Sequence, residues 1–103
     1  MKKIVVLGAL LLLGTFTLFA QNVPTIEIVN NTGTFLQYVY ISDSESDNWG
    51  KDVLKDDVVF PRRSVIIPLS KNGTWDILVV DDNGEEYTFF EVKIPATGKI
   101  IVE

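Results

Sequence analysis

The sequence contains no cysteine and no histidine among its 103 residues. Their absence removes thiol nucleophiles, disulfide bonds, structural zinc and the commonest general base of enzymes. A carboxylate pair or a Ser–Lys arrangement would remain for catalysis, but a small β-rich domain offers little concave volume to shelter either one. We therefore predict that the protein is not an enzyme. The lack of cysteine also excludes a lipoprotein anchor.

The first twenty residues differ in composition from the rest. Lys2 and Lys3 form a short basic start, the stretch from Ile4 to Phe19 is almost wholly apolar, and Ala20 precedes a polar region. This order is typical of a secretory signal peptide, and about 16 apolar residues are fewer than the ~20 that a spanning helix needs. We expect residues 1–20 to be cleaved, which predicts a periplasmic or secreted protein without a membrane span. An uncleaved anchor is the alternative.

Residues 21–103 are predicted to form a single domain. They carry seven basic and fourteen acidic side chains, since two of the nine basic residues precede position 21, and the net charge is about −7. Nucleic acid is an unsuitable partner for so acidic a chain. The 83 residues suffice for one small core, and without disulfide bonds its stability must come from packing and backbone pairing.

Strand patterns recur every ten to fifteen residues, and no segment sustains a helical period. The dipeptide Asn83-Gly84 between two such patterns is a strong hairpin signal, so residues 75–80 are expected to pair with residues 86–92. We predict an all-β fold, a small antiparallel β-sandwich of six to seven strands in the immunoglobulin-like size class, and a monomer. The predicted strands are residues 24–29, 35–42, 58–60, 64–69, 74–80, 86–92 and 99–102.

The segment from Ser42 to Asp57 is polar, with few apolar residues. Ser46 or Asp47 can cap one short helical turn near Trp49, after which a glycine provides a left-handed exit. Apolar side chains of this segment would attach it to the core, and a second tryptophan would fill the core itself. The predicted structural anchors are Trp49, Gly50, Leu54 and Trp75.

Two segments concentrate the oxygen ligands that calcium prefers. If both lie at one end of the sandwich, they could share an ion. The alternative is that their Ser, Asp and Asn side chains cap turns and that the other charges are solvated. No EF-hand spacing is present, so calcium stays a hypothesis and no other cofactor is predicted. The candidate metal ligands are Asp43, Glu45, Asp47, Asp52, Asp81, Asp82 and Asn83.

Strand alternation also places aromatic residues away from the predicted core. In residues 35–42 it puts Phe35, Val39 and Ile41 on one side, and the tyrosines with Leu36 on the other. A contiguous aromatic patch on an exported domain would contact a protein or a glycan. The alternatives are that the loop of residues 42–57 covers it, or that a bulge shifts the alternation by one. The candidate recognition residues are Tyr38, Tyr40, Leu78, Val80 and Phe90.

The motifs Asn31-Thr32-Gly33, Val39-Tyr40-Ile41-Ser42 and Trp49-Gly50-Lys51-Asp52-Val53-Leu54, with Ser44 and Ser46 between them, resemble a module of exported proteins in spirochaetes and other bacteria. Residues 65–69 and 76–84 match its later strand and hairpin, so the resemblance covers nearly the whole chain after residue 20. Pro61-Arg62-Arg63 departs from the Pro-Gly turn that is more common there. The resemblance implies a small β-rich exported domain and supplies no activity and no catalytic residues.

These observations predict an exported binding module of unknown ligand, with a protein or glycan partner and no chemistry of its own. The alternative is a calcium-stabilised structural or envelope-associated module. A third hypothesis is an inhibitor that inserts a loop into a secreted enzyme, with Arg62-Arg63 or Glu45 as the protruding residues. An apolar patch would favour the first function, and ion-dependent folding would favour the second.

Overall fold

The computed structural model describes residues 23–103, and the predicted signal peptide at residues 1–20 lies outside the described residues. All regular structure in the described part is β-strand, which confirms the all-β prediction. The strands are β1 Thr25–Asn30, β2 Leu36–Asp43, β3 Ser64–Pro68, β4 Gly73–Asp81, β5 Glu86–Ile94 and β6 Lys99–Val102.

The strands form two three-stranded sheets. Sheet one has the order β3-β1-β6 and sheet two the order β2-β4-β5. Every pair is antiparallel except β1 with β6, which are the first and last described strands and are not joined by a hairpin that would set their direction. The predicted hairpin is confirmed, because β4 pairs with β5 across a turn in which Gly84 has a φ of +83°.

One apolar cluster fills the space between the sheets. Most of its members come from the inward positions of strands in both sheets, because side chains alternate between the two faces of a strand, and Leu54, Val59 and Leu69 come from the segments between strands. Burial of each large aliphatic side chain stabilises the fold by about 1.5–3 kcal/mol relative to exposure. The core consists of Ile26, Ile28, Leu36, Val39, Leu54, Val59, Ile67, Leu69, Trp75, Ile77, Val79, Val92, Ile94, Ile100 and Val102.

A β-bulge in β2 changes one prediction. Gln37 is an extra residue between Leu36 and Tyr38 in the register with β4, so the alternation shifts there by one. Leu36 is therefore buried in the core with Val39, whereas Phe35, which the simple alternation placed inside, is exposed. The bulge precedes both tyrosines, and these keep their predicted outward positions.

The helical turn predicted near Trp49 was wrong, since no residue in the described part of the chain is helical. The Ser46 hydroxyl accepts the N–H of Asn48 at 3.1 Å, which closes a local turn that competes with a helix. Asp52 then pairs with Tyr40 at the open edge of β2, and its Oδ1 accepts the N–H groups of Val39 and Leu54 at 2.9 and 3.0 Å. The segment is thus attached to β2 through a backbone bridge and through the Asp52 carboxylate.

The four predicted anchors behave differently. Leu54 and Trp75 belong to the core, as predicted. Gly50 has a φ of +81°, the left-handed conformation expected of it. Trp49 is only half-buried and lies outside the core cluster.

Candidate functional site

The outer surface of sheet two carries the predicted recognition residues. Tyr38 is opposite Val80 and Tyr40 is opposite Leu78 in the register of β2 with β4, and Leu78 is opposite Thr88 of β5. Directly opposed residues bring their Cβ atoms to about 4.5–5.5 Å, so these side chains are neighbours. We call the set Tyr38, Tyr40, Leu78, Val80 and Phe90 the tyrosine face.

Packing on the inner surface of the sheet determines this orientation. Val39, Ile77 and Val79 are essentially inaccessible, so the residues between them must point outward. The rings of Tyr38 and Tyr40, two residues apart on one strand, stack with centroids 6.2 Å apart and an interplanar angle of 20°. This preformed aromatic pair loses little side-chain freedom when a partner binds.

Phe90 is the most exposed member of the tyrosine face, at 68%, compared with 39% for Tyr38. Tyr87 and Phe89 pack against the core, so alternation along β5 places Phe90 on the outer surface. A bulge follows directly at Glu91, whose φ is +55° and whose N–H donates to Asp76 Oδ1 at 2.9 Å. That contact holds the bulge, and with it the position of Phe90.

Asp81 is the most enclosed of the candidate metal ligands, with 3% of its surface exposed. Its Oδ1 accepts the N–H groups of Asn83 and Glu85, both at 2.9 Å. Its Oδ2 accepts the hydroxyls of Thr34 at 3.2 Å and Tyr87 at 3.3 Å. The carboxylate therefore organises the β4–β5 turn and connects it to the start of β2.

The protonation of this group follows from the same contacts. Burial by itself would raise the pKa of Asp81, but the donors from Glu85, Asn83, Thr34 and Tyr87 outweigh it, and the pKa lies below its ordinary range. Burial and the charges of Asp81 and Glu85 raise the pKa of Tyr87, which therefore keeps the proton that it donates. Protein donors thus bond both carboxylate oxygens of Asp81 without a metal ion.

The other acidic segment is bonded in a different way. Asp43 forms an ion pair with Lys71, with Nζ 2.8 Å from Oδ2, and the lysine side chain is 61% exposed. The hydrogen bond from Lys71 and the N–H of Glu45 lower the pKa of Asp43, and the same pair raises the pKa of Lys71. The Asp52 carboxylate accepts the N–H of Val39 at the edge of β2, whereas Glu45 and Asp47 are exposed.

The structure does not bring the two acidic segments together. Asp43 is opposite Trp75 and Asp81 is opposite Leu36 in one ladder, and the six residue steps from Trp75 to Asp81 place them about 20 Å apart along β4. Asp82 and Asn83 are exposed beside Asp81. Across residues 23–103, no group of three or more acidic side chains is arranged to hold a metal ion. An ion shared by both segments is thus incompatible with this ladder, and calcium binding by either one alone stays a prediction.

Two features were not predicted from the sequence. Asn30 is fully buried, and its Nδ2 donates to the carbonyl oxygens of Thr34 at 2.7 Å and Val59 at 2.9 Å. A groove of about 610 Å³ lies between β3 and residues 53–60. The short apolar run at residues 58–60, just before Pro61, was the sequence signal for this groove, and exposed apolar residues are common on protein surfaces.

No protein family matches the chain, and neither does any curated protein or solved structure. The resemblance to an exported bacterial module therefore stays a prediction. Within residues 23–103 the structure has no helix of the length and apolar character needed to cross a membrane.

Proposed function

We propose that the protein is a non-enzymatic binding module that contacts a partner protein through the tyrosine face. The observation that carries the proposal is the position of Tyr38, Tyr40 and Phe90 on the outer surface of sheet two, with two aliphatic residues between them and none of the five in the core. Aromatic side chains are enriched in the centres of protein interfaces, where they contribute most of the binding energy.

The aliphatic residues favour a protein partner over a glycan. Leu78 and Val80 lie between the tyrosines of β2 and the outer residues of β5 and are half-buried, so the centre of the face is aliphatic, and the hydroxyls of the tyrosines and of Thr88 lie beside it. Sugar rings need hydrogen-bond partners for their hydroxyl groups, whereas an apolar protein surface does not. The charged residues Asp76 and Glu86 flank this aliphatic centre, Asp76 two positions before Leu78 and Glu86 opposite Val80.

The experiment compares retention of partners from an envelope extract of the producing cells by immobilised wild type and two variants. In the test variant, Tyr40→Ser and Phe90→Ser are combined. The matched control is Ile101→Ser, which removes an exposed apolar residue from the outer surface of sheet one. Because all three residues are outside the core, we expect each variant to melt within a few degrees of wild type.

We expect wild type and the control to retain a protein partner. The test variant should retain at least tenfold less of it. Equal retention by all three proteins would reject the tyrosine face as the binding surface. A retained component that resists protease but is destroyed by periodate would identify a glycan as the ligand.

A further inference from the structure

The strand β3 has an unpaired edge. Among residues 23–103, its only neighbour in sheet one is β1. The Asn30 N–H donates to the Arg63 carbonyl and the Leu69 N–H donates to the Pro24 carbonyl, both at 2.8 Å. Since bonded positions alternate along an antiparallel pair, residues 65 and 67 also bond to β1. The N–H and C=O groups of Ser64 and Ile66 must therefore point away from the sheet.

The groove of about 610 Å³ runs along this unpaired edge. Its apolar lining includes Phe60 and Ile66, which are 56% and 62% exposed. The wall opposite β3 is held in place, because Val59 exchanges two backbone hydrogen bonds of 3.0 Å with Leu36. The ring of Phe60 also packs on Phe35, with centroids 5.0 Å apart. A fixed apolar groove beside free backbone groups is the arrangement used for β-strand addition.

Another unpaired edge of the molecule is protected from such pairing. The outer edge of β5 contains the bulge at Glu91, and a bulge interrupts the regular backbone spacing that an added strand requires. Along β3 the backbone is regular from Ser64 to Ile67, and only Pro68, which has no N–H, ends the series. The edge of β3 is therefore suited to a short added strand.

The charged residues that line the groove indicate which charged side chains an added strand should have. Arg63 lines the groove where β3 begins, and among the described residues the only ion pair within 4 Å is that of Lys71 with Asp43. Arg62 is already used, since its guanidinium donates to Asn31 Oδ1 at 2.6 Å. Asp57 also lines the groove, so a strand with many carboxylates would be repelled. A single acidic group opposite Arg63 complements these charges.

We propose that the free edge of β3 binds an extended segment of a partner protein by antiparallel strand addition, with apolar side chains in the groove and one acidic side chain against Arg63. The segment would pair with the backbone of Ser64 and Ile66. Because the strands run in opposite directions, its acidic residue lies near its own C-terminal end. This surface is on sheet one and is independent of the tyrosine face.

The test is an NMR titration of the 15N-labelled protein, purified after export from the expressing cells, with blocked hexapeptides. In both peptides valine alternates with threonine over five residues, and the last residue is glutamate in one and lysine in the other. We expect saturable shifts of the Ser64 and Ile66 amides and of the groove wall at Phe60. The glutamate peptide should bind at least fivefold more tightly, and Arg63→Gln should remove that difference.

Ile66→Pro tests the backbone pairing directly. The substitution removes an N–H that points away from β1, so the pairing with β1 is retained and binding of both peptides should be lost. Phe60→Ser changes the opposite wall of the groove and leaves β3 unchanged. It should lower the affinity for both peptides at least fivefold. Tyr40→Ser on the tyrosine face is the matched control and should bind both peptides as wild type does.

Absence of saturable shifts at millimolar peptide, or shifts confined to the tyrosine face, would overturn the proposal. Equal affinity for the two peptides would overturn the role of Arg63. Self-association of the protein without peptide that Ile66→Pro abolishes would identify a second copy of the chain as the occupant, and would likewise overturn the proposed partner.

Discussion

The two acidic segments of this chain have similar composition, but the fold uses them in opposite ways. Asp81 is enclosed and accepts four hydrogen bonds from the protein, and these bonds shape the β4–β5 turn. Asp43, at the other end of the same ladder, shares an exposed ion pair with Lys71. The comparison shows that a carboxylate contributes to this fold according to its burial and its donors, and not according to the local density of acidic residues.

The largest effect should follow from the substitution Asp81→Ala. It removes the acceptor of two backbone N–H groups and two hydroxyls in an enclosed position, so we expect a loss of about 3 kcal/mol in the free energy of unfolding. For a domain of this size the melting temperature should fall by about 15 °C. Asp82→Ala, at the exposed neighbouring position, is the control and should change it by less than about 3 °C. A melting temperature of Asp81→Ala no lower than that of Asp82→Ala would show that the turn does not depend on Asp81.

Asp52 lies within the same acidic segment as Asp43, but its effect on stability should be closer to that of Asp81. Its Oδ1 accepts two N–H groups, from Val39 and Leu54, and it attaches the segment to the edge of β2. We expect Asp52→Ala to reduce the free energy of unfolding by about 1.5 kcal/mol, measured by urea denaturation. Asp47→Ala is the matched control, since that exposed side chain should be replaceable without loss. A larger loss of stability in Asp47→Ala than in Asp52→Ala would contradict the role of Asp52 in attaching the segment.

The pH dependence of stability should separate Asp81 from the exposed carboxylates. Because its pKa is lower in the folded protein than in the unfolded chain, its stabilising effect is present above the unfolded value. The effect diminishes once the pH falls below the unfolded value of about 4, and it is lost as the pH falls through the lower folded value. We expect the difference in urea midpoint between wild type and Asp81→Asn to be largest at neutral pH and to narrow at pH 3. A constant difference would mean that the charge of Asp81 does not contribute.

The ion pair at the other end should have a much smaller effect. Asp43 and Lys71 are both exposed, and such pairs are weakened by solvent and by salt. We expect Asp43→Asn to lower the melting temperature by no more than about 3 °C at low ionic strength, with no difference from wild type in high salt. A large decrease that persists in high salt would show that this end of the ladder depends on the pair.

Calcium should have the smallest effect. Asp43, Asp52 and Asp81 already bind protein donors, and the two segments lie at opposite ends of β2. We therefore expect millimolar calcium to leave the melting temperature within about 2 °C of its value in EDTA. A rise of roughly 10–20 °C, which an ion at a hundred times its dissociation constant would produce, would show that one segment alone holds the ion.

Several elements could be predicted because the signal that specifies them is local. The alternation of Trp75, Ile77 and Val79 identified the inner face of β4, and Asn83-Gly84 identified the hairpin that follows it. The same alternation placed the tyrosines outward. Two predictions were wrong for different reasons. The bulge at Gln37 depends on the register with β4, which is remote in sequence. The helical turn near Trp49 is replaced by a local turn that Ser46 closes with Asn48, and Asp52 then bonds to the distant Val39.

The two candidate sites also differ in how far the sequence predicted them. Members of the tyrosine face could be named from strand alternation, but whether they form one surface depended on the pairing of β2 with β4. The groove beside β3 left almost no sequence signal, because its two walls come from segments that the chain places side by side only after the turn at Pro61.

By itself, the sequence determined that the described chain is all-β, which residues of most strands face inward, and where the chain turns, because these follow from side-chain alternation and local turn chemistry. The tertiary structure alone decided the parallel pairing of β1 with β6, the separation of Asp43 from Asp81, and the free edge of β3. These features depend on which strands become neighbours, and that choice is made by the packing of both sheets around one core rather than by any local pattern.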